Sequence, residues 1–305
     1  MQDVCGPRGE RILITGGAGF IGSHLADALV AENDVRVLDD LSTGFRAQVP
    51  DGAELFEGDV CDPDALDAAM DGVDTVFHEA AMVSIPKTVA DPLASNEVNV
   101  TATLRLLERA RAESARVVCA SSAAIYGNPD RVPVSETDPL RPTSPYGVQK
   151  QTLDHYTRLY TDLYDLETVV LRYFNVYGPR AEAGEYGDVV SVFFRQGRAG
   201  GPITIEGSGE QTRDFVHVDD VVQANLRAAT TDAVGEAYNV GCGTETTVSA
   251  LAEKIRALTG GDAEITHVDR RPGDIDDSLA DISKARERLG YEPTVDLDEG
   301  LDSVV

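Results

Sequence analysis

Short apolar runs alternate with longer amphipathic stretches over the first two thirds of the chain. The first run, residues 12–15 (Ile-Leu-Ile-Thr), leads through glycines into a helical pattern of Leu25, Ala26, Ala28, Leu29 and Val30. Further strand-like runs are predicted at 35–38, 53–57, 75–78, 116–120 and 168–172. Between them, the 3.6-residue period predicts helices at 62–70, at 96–113 with Leu104 and Leu107 on one face, and at 144–164. Asp62 before Pro63 supplies a cap and a proline suited to a first helical turn. Strands separated by helices in this way predict an α/β fold with a doubly wound parallel sheet.

Past residue 175 the pattern loosens, with glycine-rich loops at 197–201 and 207–209. A helix at 218–229 and a strand at 237–240 are expected to return to the sheet, and helical stretches at 249–258 and 283–289 read as a smaller unit. The division expected is 1–175 with 214–240 as the larger domain, and 176–213 with 241–305 as the smaller. No internal repeat or low-complexity segment occurs.

The turn after the first strand reads Gly16-Gly17-Ala18-Gly19-Phe20-Ile21-Gly22. Unpaired N–H groups and the helix dipole make such a helix N-terminus an anion site. Gly16 and Gly19 let the backbone approach a pyrophosphate, and Gly22 lets the helix pack closely on its strand. The second strand ends in Asp39, at the distance where a dinucleotide fold places the carboxylate for a ribose diol. With no arginine immediately after it, Asp39 favours NAD over NADP.

The chain has 305 residues, 42% of them hydrophobic, enough for a large core. It carries 53 Asp plus Glu against 26 Lys plus Arg, a net charge of −27. That surface repels nucleic acid, and its scatter through helices and loops resembles the acidic coat of proteins working at high salt. No apolar run reaches membrane-spanning length, and the N-terminus lacks the form of a signal peptide, so a cytoplasmic location is expected. Cys5, Cys61, Cys119 and Cys242 form no CxxC pair and read as free thiols, and the histidines lack metal-ligand spacing.

Tyr146 and Lys150 lie four apart at the start of a predicted helix and project from one face. A lysine beside a phenol, and a positively charged nicotinamide, both favour the phenolate. Ser121-Ser122 sits just past the strand 116–120, at the carboxyl edge where ligands of such sheets bind. Ser122 there reads either as a hydrogen-bonding partner of a substrate hydroxyl or as a simple turn cap.

These motifs, taken together, resemble the extended short-chain dehydrogenase/reductases, in particular their nucleotide-sugar epimerase branch and its UDP-glucose 4-epimerases. The likeness runs through TGGAGFIG, VLDDLSTG, GDV from Gly58, HEAA from His78, NVTATLRLL from Asn99, SSAAIYG from Ser121, YGVQK from Tyr146, RYFNVYGPR from Arg172, RDFVHVDD from Arg213, YNVG from Tyr238 and RPGD from Arg271. It implies a Rossmann-type NAD-binding domain and a C-terminal nucleotide-sugar domain. Phe20 and Ile21 would meet the pyrophosphate, with Asp39, Asp40 and the loop Leu41, Ser42, Thr43 and Gly44 at the adenosine ribose. Asp59 and Val60 would flank the adenine. Ala80, Ala81 and Asn99 would line the cleft, and Phe174 would lie near the nicotinamide. Ser122, Tyr146 and Lys150 would be the catalytic group. Asn175, Arg213 and Arg271 would grip the substrate diphosphate, with Ser84, Val189, Ile205 and Ser278 also on the substrate side. Arginine forks match phosphate oxygens, although either arginine could equally be a surface ion-pair partner.

Dehydratases of the branch carry Asp-Glu after the active-site hydroxyl residue, and related decarboxylases a glutamate. Here Ala123 and Ala124 stand there, which leaves C4 inversion. The position that gates the sugar's C2 substituent aligns with Ser278, a small side chain with room for an N-acetyl group. Asp40 stands where asparagine is frequent. The expectation is an NAD-dependent 4-epimerase of a UDP-sugar, with UDP-N-acetylglucosamine or UDP-glucuronate epimerases, a nucleotide-sugar reductase and a non-catalytic dinucleotide sensor as alternatives. The helices 96–113 and 144–164 resemble the pair that forms a dimer interface in the family. His78 and His217 are expected to satisfy backbone groups, and Asp219-Asp220 and Asp276-Asp277 to be caps or surface charge.

Overall fold

The computed structural model describes residues 6–181, 188–270 and 275–305. The chain opens with β1 (Arg11–Thr15), α1 (Phe20–Leu29), β2 (Asp34–Asp39), β3 (Glu54–Glu57), α2 (Pro63–Met70) and β4 (Thr75–His78). Two short helices, α3 (Ile85–Ala90) and α4 (Pro92–Asn96), lead through a π-helical turn at Glu97–Thr101 into α5 (Ala102–Glu113). β5 (Arg116–Ser122), α6 (Pro145–Tyr164) and β6 (Thr168–Tyr173) follow. The remainder carries β7 (Asn175–Tyr177), α7 (Val189–Arg198), β8 (Ile203–Glu206), β9 (Thr212–His217), α8 (Val218–Thr230) and β10 (Glu236–Val240). It closes with β11 (Glu245–Thr247), α9 (Val248–Leu258), β12 (Ile265–Val268), α10 (Ser283–Leu289) and α11 (Leu297–Asp302).

Seven strands make one sheet in the order β10-β6-β5-β4-β1-β2-β3, each neighbouring pair parallel. Helices cover both faces, so strand residues on either side are buried: all of β4 and β6, and residues 12–15 of β1. Alternation sends Ile12 and Ile14 into one apolar cluster with Leu25, Val37 and Val221. Leu13 points the other way, into a cluster with Val76, Leu107 and Leu153. The strand order turns back between β1 and β4, and ligands of open α/β sheets bind beyond the carboxyl ends at such a point.

Three differences from the sequence-based reading matter. The helix expected at 96–113 begins earlier, as α4, and changes to a π-helical turn before α5. Asn99 lies in that turn; such turns are frequent at functional sites. β5 runs two residues further than expected, so Ser121 and Ser122 end the strand. Past residue 175 the loosened pattern conceals a three-stranded sheet, β11-β9-β7, and a two-stranded one, β12-β8. These strands are three to six residues long, too short for a clear period. A third apolar cluster, with Phe193, Phe194, Ile203, Ile205 and Leu251, holds this part together. Among the described residues no helix is long and apolar enough to cross a membrane.

One ion pair lies inside the larger sheet's packing. Arg172 of β6, 2% exposed, donates from Nε to Asp154 Oδ2 of α6 at 2.8 Å and from Nη2 to Oδ1 at 3.2 Å. Arg158 adds a bond to the same carboxylate at 2.9 Å. Removing one member of a buried pair strands the other charge. Asp154→Ala should therefore lower unfolding free energy by about 3–5 kcal/mol, measured by denaturant titration.

Candidate active site

The glycine turn is built for close approach. Gly16 has φ +69°, and a Cβ there would stand 2.8 Å from the Ala80 nitrogen. A Cβ on Gly22 would come within 2.3 Å of the Gly16 carbonyl oxygen, so α1 lies almost on the turn. Gly19 is the N-cap residue of α1 and offers no side-chain acceptor to its first N–H groups. That combination, bare backbone donors at the sheet's reversal point, suits a pyrophosphate. Phe20 and Ile21 form the first turn of α1.

Asp39, at the end of β2, accepts from Ala18 N at 2.9 Å and from Leu41 N at 2.8 Å. It thereby ties the glycine turn to the loop that follows β2. Gly44 packs on that turn, where a Cβ would meet the Ala18 backbone at 2.8 Å, and Phe45 N donates to Ala18 O. Asp40 is exposed and accepts from Ser42 N, while Ser42 and Thr43 face outward. Asp59 accepts from Cys61 N, beside the buried Val60.

On the other side of the reversal, α6 packs on β5 and brings Lys150 to the strand that ends in Ser122. Gly147 allows this: a Cβ there would sit 2.7 Å from the Ala124 carbonyl oxygen, in the turn after Ser122. The Lys150 ammonium, 4% exposed, donates to Ala120 O at 2.7 Å and lies 5.9 Å from the Tyr146 ring centroid. Ser122 Oγ accepts from Ala124 N at 3.2 Å, so Ser122 does cap a turn; its hydroxyl proton remains available to a substrate oxygen. Phe174, buried, stacks obliquely on Tyr126 at 6.4 Å.

Several expected contact residues are occupied by the protein itself. Asn99 is 1% exposed; it accepts from Met82 N and donates to Met82 O and Gln149 Oε1. It therefore shapes the segment carrying Ala80 and Ala81. Ser84 caps α3 and Val189 opens α7. Ile205, 1% exposed, is packed within the third apolar cluster. Asn175 donates to Asp214 O, and Arg213 donates to the carbonyls of Thr212 and Asp276, the latter two residues before Ser278. Ser278 is 6% exposed, its nitrogen bonded to Thr212 O. Arg271 lies outside the described residues.

His217 caps α8 through Nδ1, as expected of it. His78 differs from the expectation, since it serves hydroxyls rather than backbone, bonding Thr15 Oγ1 at 2.8 Å and Thr103 Oγ1 at 2.9 Å. Two carboxylates escaped the sequence reading. Asp214 accepts from Cys242 N, Gly243 N and Ala280 N, which draws the substrate-side segments together; burial nevertheless raises its pKa to about 6. Glu79 follows β4 and accepts from the Tyr173 hydroxyl at 2.8 Å. Burial raises Glu79 to about 7, against opposing pulls from Tyr173 and the Lys150 charge. Its only sequence signal is an acid directly after an otherwise buried strand.

The fold and this cleft define a dinucleotide-dependent enzyme of the doubly wound α/β class. The chain belongs to the NAD dependent epimerase/dehydratase family, whose model matches residues 12–241. It is 39% identical over 304 residues to a UDP-glucose 4-epimerase of Mycolicibacterium smegmatis, covering 97% of each chain. The UDP-N-acetylglucosamine 4-epimerase of Methanobrevibacter ruminantium, solved with UDP-N-acetylmuramic acid, superposes with a TM-score of 0.92 at 35% identity, covering 97% of this chain and 98% of that one. The UDP-glucose 4-epimerase of Thermus thermophilus in complex with NAD gives 0.89 at 37% identity, covering 96% and 97%.

Burial, with the Lys150 charge adding to it, holds His78 down at about 3 against an ordinary 6.5. Between those values the unfolded state binds more protons, so stability is full above about 6.5 and falls as pH drops. The loss should reach about 5 kcal/mol across that window. Urea titrations from neutral pH to about pH 4 should show a shallower decline for His78→Gln than for the unaltered chain.

Proposed function

We propose that this protein is an NAD-dependent C4 epimerase of UDP-sugars of the glucose/galactose type. The observation that carries the reading is the company Ser122 keeps. Lys150 reaches its strand at Ala120, Gly147 beside Tyr146 packs on the turn after it, and that turn, Ala123–Ile125, offers no side chain able to exchange a proton. Dehydration and decarboxylation would need such a group there. The relatives in Mycolicibacterium smegmatis and Thermus thermophilus support the same choice.

NAD, held over the glycine turn with its adenosine ribose at Asp39, supplies a reversible hydride acceptor when bound. Tyr146 takes the proton of the C4 hydroxyl and returns it after the keto sugar has turned over. Lys150 favours the phenolate and holds the nicotinamide ribose, while Ser122 orients the hydroxyl. Asn175, Arg213 and Arg271 take the substrate diphosphate, bringing local positive charge to a protein of net charge −27. The substrate-side residues 176–213 and 241–305 form the nucleotide-sugar unit. Ser278 favours a second reading, in which a UDP-N-acetylhexosamine is also accepted, and the Methanobrevibacter ruminantium relative supports it.

Incubated at high salt with UDP-galactose and no added cofactor, the protein should form UDP-glucose. Failure even with NAD supplied rejects that substrate. Tyr146→Phe should lower kcat by about 10²–10⁴-fold with NAD still bound.

The proposal extends to a homodimer. Val148, Tyr156, Leu159 and Leu163 of α6 are exposed, at 51%, 38%, 42% and 60%, and share a face. Leu93 of α4 and Val89 of α3, helices packed against α6, are exposed as well, at 83% and 59%. Light scattering should give twice the chain mass, and Leu159→Glu with Leu163→Glu should give a monomer.

A further inference from the structure

Glu79 is the one carboxylate of the HEAA motif, and the epimerase reading leaves it without a task. It follows the last residue of β4, and the register His78↔Cys119 places it one step on, abreast of Ala120. Ala120 is the residue whose carbonyl holds the Lys150 ammonium. Its carboxylate is fixed from the far side by the Tyr173 hydroxyl, which in turn accepts from Asn225 Nδ2 at 2.8 Å. Asn225 is wholly buried on α8, where its Nδ2 also donates to Val221 O at 2.9 Å, so the Tyr173 hydroxyl is left to donate to Glu79.

The charge arithmetic of the cleft gives this carboxylate a role. An oxidised nicotinamide ring carries a positive charge and a reduced one does not. Lys150 alone, placed where the ring ribose binds in the proposed mechanism, opposes the oxidised form by like-charge repulsion at low dielectric. We infer that the Glu79 carboxylate is a positioning charge that offsets Lys150 and makes the cleft prefer the oxidised dinucleotide over the reduced one. The inference rests on the dinucleotide reading of the site and goes beyond it, because an epimerase must rest with its cofactor oxidised.

The groups facing Glu79 make the claim testable by pH. Lys150 comes from α6, Tyr173 from β6, Cys119 from β5, and His78 precedes it on β4. His78 is held near 3, Cys119 is pushed to about 12 and Tyr173 well above its ordinary value, all chiefly by burial. Glu79, at about 7, is the member of this set that changes charge near neutrality.

NAD⁺ and NADH are set in competition for the purified protein carrying Tyr146→Phe, which removes the phenol that the proposed mechanism ionises beside the nicotinamide, and binding is read by bound reduced-nicotinamide fluorescence. From about pH 6 to about pH 8 the preference for NAD⁺ should rise severalfold, up to about tenfold. Glu79→Gln retains an acceptor for Tyr173 but no charge, and its preference should stay level within about twofold. Tyr173→Phe removes a hydrogen bond that lowers the Glu79 pKa, so its rise should come at higher pH. A merely structural Glu79 would produce neither pattern. A level preference in the Tyr146→Phe protein with Glu79 intact, or an undiminished rise when Glu79→Gln is added, overturns the inference and leaves the epimerase proposal standing. Failure of both dinucleotides to bind overturns the cofactor reading and this inference with it.

Discussion

The Lys150 ammonium, buried and held on the Ala120 carbonyl, is the contact from which the rest of the cleft takes its shape. A buried cation needs acceptors at hand, since desolvation without them is costly. Meeting that need locks α6 against β5, and Gly147 permits the approach. In the same docking Gly147, next to Tyr146, packs on the turn that follows Ser122. Site geometry and helix packing are thus one arrangement around Lys150.

Buried charge elsewhere follows the same rule with different partners. Asp154 lies between Arg172 and Arg158, whereas Asp214 is held by three backbone N–H groups. The Asp214 arrangement gathers segments distant in sequence, Arg213 on one side and the residues around Ser278 on the other. Exposed acids are another matter: most of the acidic excess faces solvent, where salt screens it over roughly 10 Å at moderate ionic strength. The chain therefore separates two uses of carboxylates, a few inside as fixed acceptors and many outside as a hydrated coat.

The NAD dependent epimerase/dehydratase family assignment fits a cleft of two halves. On one half, glycines and Asp39 make a cradle largely from backbone. On the other, Lys150 of α6 docks on β5, the strand that ends in Ser122. Strand order reverses between β1 and β4, the kind of point beyond whose carboxyl ends ligands of open α/β sheets bind.

What the sequence determined by itself was the periodic part: buried parallel strands, the glycine turn with Asp39 beyond it, and the Tyr146–Lys150 spacing on one helical face. These are local, because a strand's apolar run and a helix's 3.6-residue repeat are written in neighbouring positions. Tertiary structure alone decided the rest. It turned Asn99 inward onto Met82 through a π-helical turn, packed Ile205 into a core, gave His78 two threonine hydroxyls and set Glu79 beside Ala120. It also assembled the short strands past residue 175, whose pairings join segments far apart in the chain. Such choices depend on which partners long-range packing delivers, and no window of adjacent residues records them.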